Sequence, residues 1–268
     1  MKLLHKPKKS LGQNFLIDKN IINKIVEIGN IKNHDTIIEI GSGYGNLTET
    51  ILNNNPKKVI AIEKDVSLSL FLNKKFQTNK NIKIIRDDVL NIIENKNLEK
   101  NAAVFGNLPY NISTKILSSL ITLKKWPPWY KILIFMFQKE VADRILAKTH
   151  TKEYGRLTVL SNWRLEIKKH FDISKNCFFP KPNVDSTLLS FIPKKNKIFH
   201  LKNPKNLETT TRILFSNRRK MINKNFKKLF SENLVISKKL NLNLNVRPEE
   251  LNCETYYKIA MLYEKLTS

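Results

Sequence analysis

The sequence predicts an α/β fold: a largely parallel, doubly wound sheet followed by a small all-α domain. Three observations predict it. Short β-branched runs alternate with helical segments as far as Leu123, the trace that strand–helix–strand units leave in a sequence. Three glycines in Gly41-Ser42-Gly43-Tyr44-Gly45 follow one such run directly, as at the strand-to-helix turn of a ligand-binding sheet. From Pro204 onward, leucines and isoleucines are separated by basic residues, a helical pattern. A chain of 268 residues suits one large domain with a smaller appendage. Pro193 and the lysines after it mark a linker, which gives domains 1–193 and 194–268.

The elements follow in order. Asp18 is placed to cap a helix whose apolar face is Ile21, Ile22, Ile25 and Val26. Thr36–Ile40 is a strand, and the segment from Leu47 to Leu52 opens a helix just after the glycines. Val59–Ile62 is a second strand ending in Glu63, 22 residues beyond Gly41. Ile82–Ile85 is a third, ending at Arg86-Asp87-Asp88, and Ala102–Gly106 a fourth, ending at Asn107. Trp126-Pro127-Pro128-Trp129 breaks the chain before a strand at Ile132–Phe137. Runs around Arg164 to Phe171 and Thr187 to Ile192 are expected to finish the sheet as an antiparallel pair. In the C-terminal domain, Phe215 to Lys228 reads as one helix with an apolar stripe through Phe215, Ile222, Phe226 and Leu229.

The strand ends carry the chemistry, since ligands of open α/β sheets bind beyond the carboxyl ends of the strands. Glycines let a backbone approach a ligand closely. The spacing here is G-x-G-x-G and not G-x-G-x-x-G, so a pyrophosphate cradle is less well supported. Glu63 is placed to accept hydrogen bonds from both hydroxyls of a ribose, and Asp88 from an amine of a cofactor adenine. Asn107-Leu108-Pro109-Tyr110 offers two acceptors, the Asn107 side-chain oxygen and the Leu108 carbonyl, for the two N–H groups of an exocyclic amine. That amine is a poor nucleophile, because its lone pair is delocalised, and two acceptors favour a more pyramidal nitrogen. Pro109 biases Leu108 toward an extended conformation, and Tyr110 supplies a stacking face. Such a loop suits methylation of adenine. Each piece also has an ordinary reading: a tight turn for the glycines and for Asn-x-Pro-Tyr, a helix cap or solvated strand end for Glu63 and Asp88.

Composition narrows the partners. With 48 Lys+Arg against 23 Asp+Glu the net charge is +25, which suggests a polyanion and exceeds what a small acidic substrate needs. Basic residues cluster at Lys6 to Lys9, Lys194 to Lys197 and Arg212 to Lys228, although lysine is abundant throughout. Arg218, Arg219 and Lys220 are the phosphate-gripping candidates; a charged helix face is the plain alternative. The five histidines lack ligand or triad spacing, and Cys177 and Cys253 form no metal pattern or disulfide framework. No metal is expected. The N-terminus has no apolar signal core, and no run of about 18 apolar residues occurs. These features predict a soluble, cytoplasmic protein; a monomer is expected.

Taken together, Gln13-Asn14-Phe15-Leu16, Glu39 to Thr48, Glu63, Asp88, Asn107 to Ser113, Phe178-Phe179-Pro180-Lys181-Pro182-Asn183-Val184-Asp185-Ser186 and Phe215 to Lys220 resemble, in order, the KsgA-type rRNA adenine dimethyltransferases. Ser42 stands where that family commonly has proline. The resemblance runs from about Ser10 to the C-terminus. It implies a Rossmann-like, seven-stranded methyltransferase sheet, S-adenosylmethionine as donor, and two successive methylations of adenines in small-subunit rRNA within an assembling ribosomal subunit. It also implies roles: Asn14 and Leu16 close over the cofactor, Gly41 gives backbone access to its methionine part, Glu63 holds its ribose and Asp88 its adenine. Asn107 then touches cofactor and target, Leu108 accepts from the target amine, and Tyr110 stacks on the flipped base. Phe178 is expected to supply the opposing face, with Phe179 its alternative. Competing readings are a macrolide-resistance-type enzyme acting on large-subunit rRNA, a non-catalytic RNA-binding assembly factor, and a DNA adenine methylase.

Overall fold

A computed structural model describes residues 12–95, 98–195 and 199–267. The basic cluster Lys6 to Lys9, and Asn196 and Lys197 of the second cluster, lie outside the described residues. By its internal contacts the chain forms two compact units. The first holds the residues up to Leu120, Pro127–Ala142 and Ile167–Pro193. The second joins Ile121–Trp126 and Asp143–Glu166 to the residues from Lys194 on, so the division in space is not one cut of the chain.

In the first unit, α1 (Lys19–Ile28) is capped by the Asp18 carboxylate, which accepts from the Ile21 N–H at 3.0 Å. It buries Ile22, Ile25 and Val26. The strands β2 (Thr36–Ile40), β3 (Val59–Ile62), β4 (Ile82–Ile85), β5 (Ala102–Asn107), β6 (Tyr130–Gln138), β7 (Leu165–Ile173) and β9 (Ser186–Pro193) form one sheet in the order β4-β3-β2-β5-β6-β9-β7. β2 and β3 are buried along their whole length, and β5 as far as Gly106. Parallel strands covered on both faces read as continuous apolar runs, which is why these were legible in the sequence.

β2 pairs in parallel with β3 and β5, β3 with β4, and β5 with β6. The register brings their carboxyl ends level: Ile40 lies opposite Ile62 and Gly106, and Ile62 opposite Ile85. β9 runs antiparallel to β6, with Ser186 opposite Gln138. The first residue of β9 therefore sits at the same edge as the last residue of β6. A separate two-stranded sheet pairs β1 (Phe15–Leu16) with β8 (Phe178–Phe179), Phe15 opposite Phe179 and Leu16 opposite Phe178.

After α1 the chain forms α2 (Asn46–Asn53), α3 (Val66–Lys75), α4 (Val89–Asn95), α5 (Ser113–Ile121) and α6 (Lys139–Leu146), and the second unit is built around α7 (Arg156–Arg164), α8 (Lys205–Leu214), α9 (Asn223–Lys227), α10 (Asn233–Lys239) and α11 (Cys253–Thr267). Arg164 ends α7 buried: its guanidinium donates to the carbonyls of Ile121 and Leu123 at 3.1 and 2.8 Å and lies over the Trp163 ring. The Glu264 carboxylate accepts from the N–H groups of Lys202 and Asn203, tying the chain before α8 to α11.

The single helix expected over Phe215 to Lys228 is not formed. Residues 215–217 make a 3₁₀ turn, and helix resumes only at Asn223. Polar side chains compete for the backbone there. The Ser216 hydroxyl donates to Ile213 O, the Asn225 amide donates to Leu214 O, and the Ile222 N–H donates to Val246 O. Of the expected stripe, Ile222, Phe226 and Leu229 are buried, while Phe215 stacks on Tyr256 with ring centroids 5.1 Å apart. Among the described residues, no helix is long and apolar enough to cross a membrane.

Candidate active site

The level strand ends of the first unit enclose a pocket of about 190 Å³. The loop after each of four parallel strands supplies a wall: Gly41 and Gly43 after β2, Glu63 and Lys64 after β3, Asp87 and Asp88 after β4, Leu108 to Ile112 after β5. Asn107, the last residue of β5, lines it as well. Gly12 to Phe15 complete it. Of the residues singled out in the sequence, Asn14, Gly41, Glu63, Asp88, Asn107, Leu108 and Tyr110 meet here.

The glycine turn requires glycine at Gly41, Gly43 and Gly45, all three of which have positive φ. Gly41 and Gly43 have φ of +75° and +55°, the left-handed region that side chains rarely adopt. A Cβ on Gly43 would also stand 2.7 Å from the Phe15 ring. β1 thus lies tightly across the turn, with the Asn46 amide donating to the Leu16 carbonyl at 2.8 Å. One Glu63 oxygen accepts from the Gly43 N–H at 2.9 Å and the other from Asp65 N–H at 2.8 Å, so the turn and the acidic strand end are locked together. Burial pushes the Glu63 carboxyl above its ordinary range, and those two N–H groups oppose the shift. Asp88 is tied differently: one oxygen accepts from the Leu90 N–H at 2.9 Å and the other from the Lys64 ammonium at 2.9 Å. Burial pushes its carboxyl up, but those bonds and the Lys64 charge outweigh it and hold it below the ordinary carboxylate range.

Asn107 is oriented by a backbone group. Its amide NH₂ donates to the Asn14 carbonyl at 2.6 Å, which turns its side-chain oxygen the other way. The Leu108 side chain is buried close over Gly106, and the residue lines the pocket. The Pro109 carbonyl accepts from the Ile112 N–H at 3.1 Å, closing a tight turn. Tyr110 is half-buried, its hydroxyl 2.7 Å from that of Ser186. Burial pushes its phenol above the usual range, against that bond.

Two expected site residues are placed elsewhere. Leu16 and Phe178 are buried in the core with Ile22, Ile25, Met136 and Leu188, and neither lines the pocket. Phe178 is 3% exposed and Phe179 46%, and Phe179 does not line the pocket either. Strand geometry is the reason: successive side chains alternate, and paired residues share a face. Phe178 shares the inward face with Leu16, and Phe179 shares that of the pocket-lining Phe15. Gln13, Phe15 and Lys64 were missed as wall residues; only their position beside Asn14 and Glu63 could have flagged them.

Glu39, beneath the glycine turn in β2, is the most perturbed acid of this unit. Burial pushes its carboxyl up to about 8, against a hydrogen bond from the Thr48 hydroxyl. The folded chain therefore keeps a proton that the unfolded chain releases above its ordinary 4.5. Stability should fall as pH rises between these values, by up to about 1.4 kcal/mol per pH unit. Glu39→Gln should flatten that dependence in denaturant unfolding at pH 5 and pH 8. An equal pH dependence in both proteins would contradict it.

A seven-stranded sheet whose parallel strands meet the antiparallel β9, a glycine turn after β2, and acids after β3 and β4 defines the class of S-adenosylmethionine-dependent methyltransferases. The residues fit that donor: a buried acid beside the turn suits a vicinal diol, and an ionised acid one strand further suits an amine. Comparison with known proteins narrows the class. The model of the family "Ribosomal RNA adenine dimethylase" matches residues 4–265. The "Ribosomal RNA small subunit methyltransferase A" of Pelagibacter ubique is 49% identical over 261 residues, covering 97% of this chain and 98% of the relative. The protein of the same name from a Wolbachia of Drosophila simulans is 39% identical, covering 97% and 94%. Among solved structures, a dimethyladenosine transferase from Plasmodium falciparum superposes with a TM-score of 0.77 at 26% identity, covering 94% and 98%. The 23S rRNA methyltransferase ErmE shares the fold, with a TM-score of 0.66 at 19% identity over 94% and 99%. The chain belongs to the ribosomal RNA adenine dimethylase family. It is an rRNA adenine dimethyltransferase, and its methyl donor is S-adenosylmethionine.

Proposed function

We propose that this enzyme dimethylates the exocyclic amines of adenosines, two adjacent ones in our reading, in small-subunit rRNA of an assembling ribosomal subunit. The observation that carries the chemistry is the Asn107 amide held by Asn14, which aims one acceptor while the Leu108 main chain supplies another. The near-full-length relatives that bear a small-subunit name carry the substrate. Bound S-adenosylmethionine supplies a methyl group already activated on a sulfonium. What remains for the protein is positioning, where much of the rate of such a transfer arises. Asn107 Oδ1 and Leu108 O accept the two N–H groups of the target amine. Tyr110 stacks on the extruded base, since a base must leave its stack to be modified. Phe179, with the more exposed ring, faces it from the other side. Glu63 holds the cofactor ribose, Asp88 its adenine, and Gly41 its methionine part. Asn14 acts by orienting Asn107, and Leu16 by fixing β1 through its carbonyl.

Glu63→Ala should weaken S-adenosylmethionine binding by about 10- to 100-fold, the value of hydrogen bonds to a charged group. Calorimetry giving an unchanged affinity would remove Glu63 from the ribose site.

The RNA-binding reading shifts within its cluster. Arg218 is committed inside the second unit, donating to the Lys152 carbonyl and pairing with Glu249 at 3.3 Å. Arg219 and Lys220 are exposed. Replacing both by alanine should reduce the slope of log affinity against log salt by roughly 1.4 to 1.8, two phosphate contacts' worth. An unchanged slope in filter-binding titrations would leave them as solvated charges.

Transfer of labelled methyl to unmethylated small subunits, large subunits and DNA, with mass analysis of the nucleosides, tests the function. Dimethyladenosine confined to small-subunit RNA is expected. Label in large-subunit RNA would instead favour the resistance-type substrate.

A further inference from the structure

We propose that Ser186 is a positioning residue for the reaction, which holds the Tyr110 ring in the place that receives the target base. The proposal rests on the stacking role assigned to Tyr110 above. Its hydroxyl lies 2.7 Å from the Tyr110 phenol, and nothing in the stacking role itself uses that phenol. A phenylalanine ring would offer the same face. The tip contact therefore has another purpose, and the topology supplies it.

Tyr110 follows β5, and Ser186 opens β9. Because β9 is antiparallel to β6, its first residue falls beside Gln138 at the carboxyl edge, where the loop after β5 also emerges. Ser186 is fully buried, and the chain before it is pinned twice. The Asp185 carbonyl accepts from the Lys139 N–H at 3.0 Å, and the Asp185 carboxylate accepts from the Lys175 N–H at 2.9 Å. A second serine holds the other end of the tyrosine: the buried Ser113 hydroxyl donates to the Tyr110 carbonyl at 3.2 Å. A tyrosine side chain has two rotatable torsions. Fixing its main chain and its phenol oxygen sets the first torsion, and so where the ring stands before any base arrives; the oxygen lies on the axis of the second, which leaves only rotation of the ring about that axis. Preorganisation of this kind removes an ordering cost from the bound state.

Steady-state methylation of small-subunit RNA at saturating donor tests this with Ser186→Ala, Tyr110→Phe, the double variant and Tyr110→Ala. Ser186→Ala and Tyr110→Phe should each lower kcat by roughly tenfold, the worth of one hydrogen bond, with KM for RNA nearly unchanged. The double variant should be no slower than either single one, because both remove the same contact. Tyr110→Ala should be much slower still. Multiplicative losses in the double variant would overturn the proposal by showing independent effects. So would a loss in Ser186→Ala alone, since Tyr110→Phe removes the contact without disturbing β9. If Tyr110→Ala is inactive while the two conservative variants run at full rate, the positioning role fails and stacking stands. If Tyr110→Ala also runs at full rate, the stacking role itself fails and takes the proposal with it.

Discussion

Asn107→Ala is expected to lower methyl transfer by about 10²- to 10³-fold, the usual cost of removing one preorganised polar group from a reacting centre. S-adenosylmethionine affinity should survive in large part, because Glu63, Asp88 and the glycine turn are held by contacts that do not involve Asn107. The size of the effect follows from orientation. The amide is fixed through its NH₂ by the Asn14 carbonyl at 2.6 Å, so its oxygen is aimed before substrate binds and needs no reorganisation when it does. Alanine removes the acceptor and leaves the Asn14 carbonyl without its donor. Asn107→Asp separates these effects: it restores an acceptor but cannot donate to Asn14. Single-turnover methylation, with donor affinity measured separately, distinguishes the roles. Unchanged turnover in Asn107→Ala would sink the amine-holding role, and equal losses of rate and donor affinity would make Asn107 a cofactor residue only.

Phe178→Ala should cost about 3–5 kcal/mol of stability, the range for emptying a buried phenylalanine site, and lower Tm by roughly 10 °C. Phe178 packs inward opposite Leu16 in a core shared with α1, β6 and β9, so the cavity would open where three elements meet. Phe179→Ala, on the exposed face, should leave Tm nearly unchanged and instead lower the rate on RNA. Thermal unfolding and methylation rates of the two variants decide the matter. A Phe178→Ala protein that melts normally but cannot methylate would return the stacking role to Phe178.

What the sequence made legible, and what it hid, has a physical pattern. β2, β3, β4 and β5 were readable because each is a short, largely apolar run, interrupted only by Glu39 in β2 and Lys83 in β4 and followed by a polar residue or glycine. In a parallel sheet those closing residues necessarily gather at one edge, so Gly41, Glu63, Asp88 and Asn107 could be assigned to one site before any coordinates. The β1–β8 pair was not readable. Two-residue strands have no period, and their partners are remote in the chain, so nothing local says which of Phe178 and Phe179 faces inward. Arg164 misled in another way. It looks like the polar start of a strand, but it ends α7 and is buried because two carbonyls and an indole face satisfy its guanidinium. The C-terminal helix failed for the opposite reason: its apolar spacing was sound for Ile222, Phe226 and Leu229, while Ser216 and Asn225 diverted the backbone hydrogen bonds. Periodicity reports which residues are buried more dependably than it reports the helix that carries them.

The proposed grip of Asn107 and Leu108 on the target amine is open to direct observation. The most direct measurement is a structure of the enzyme with S-adenosylhomocysteine and an RNA carrying an unmethylated target adenosine. The flipped base is expected on Tyr110, with its exocyclic nitrogen within about 3.2 Å of both Asn107 Oδ1 and Leu108 O. A base seated in the pocket with that nitrogen turned away from either acceptor would contradict it.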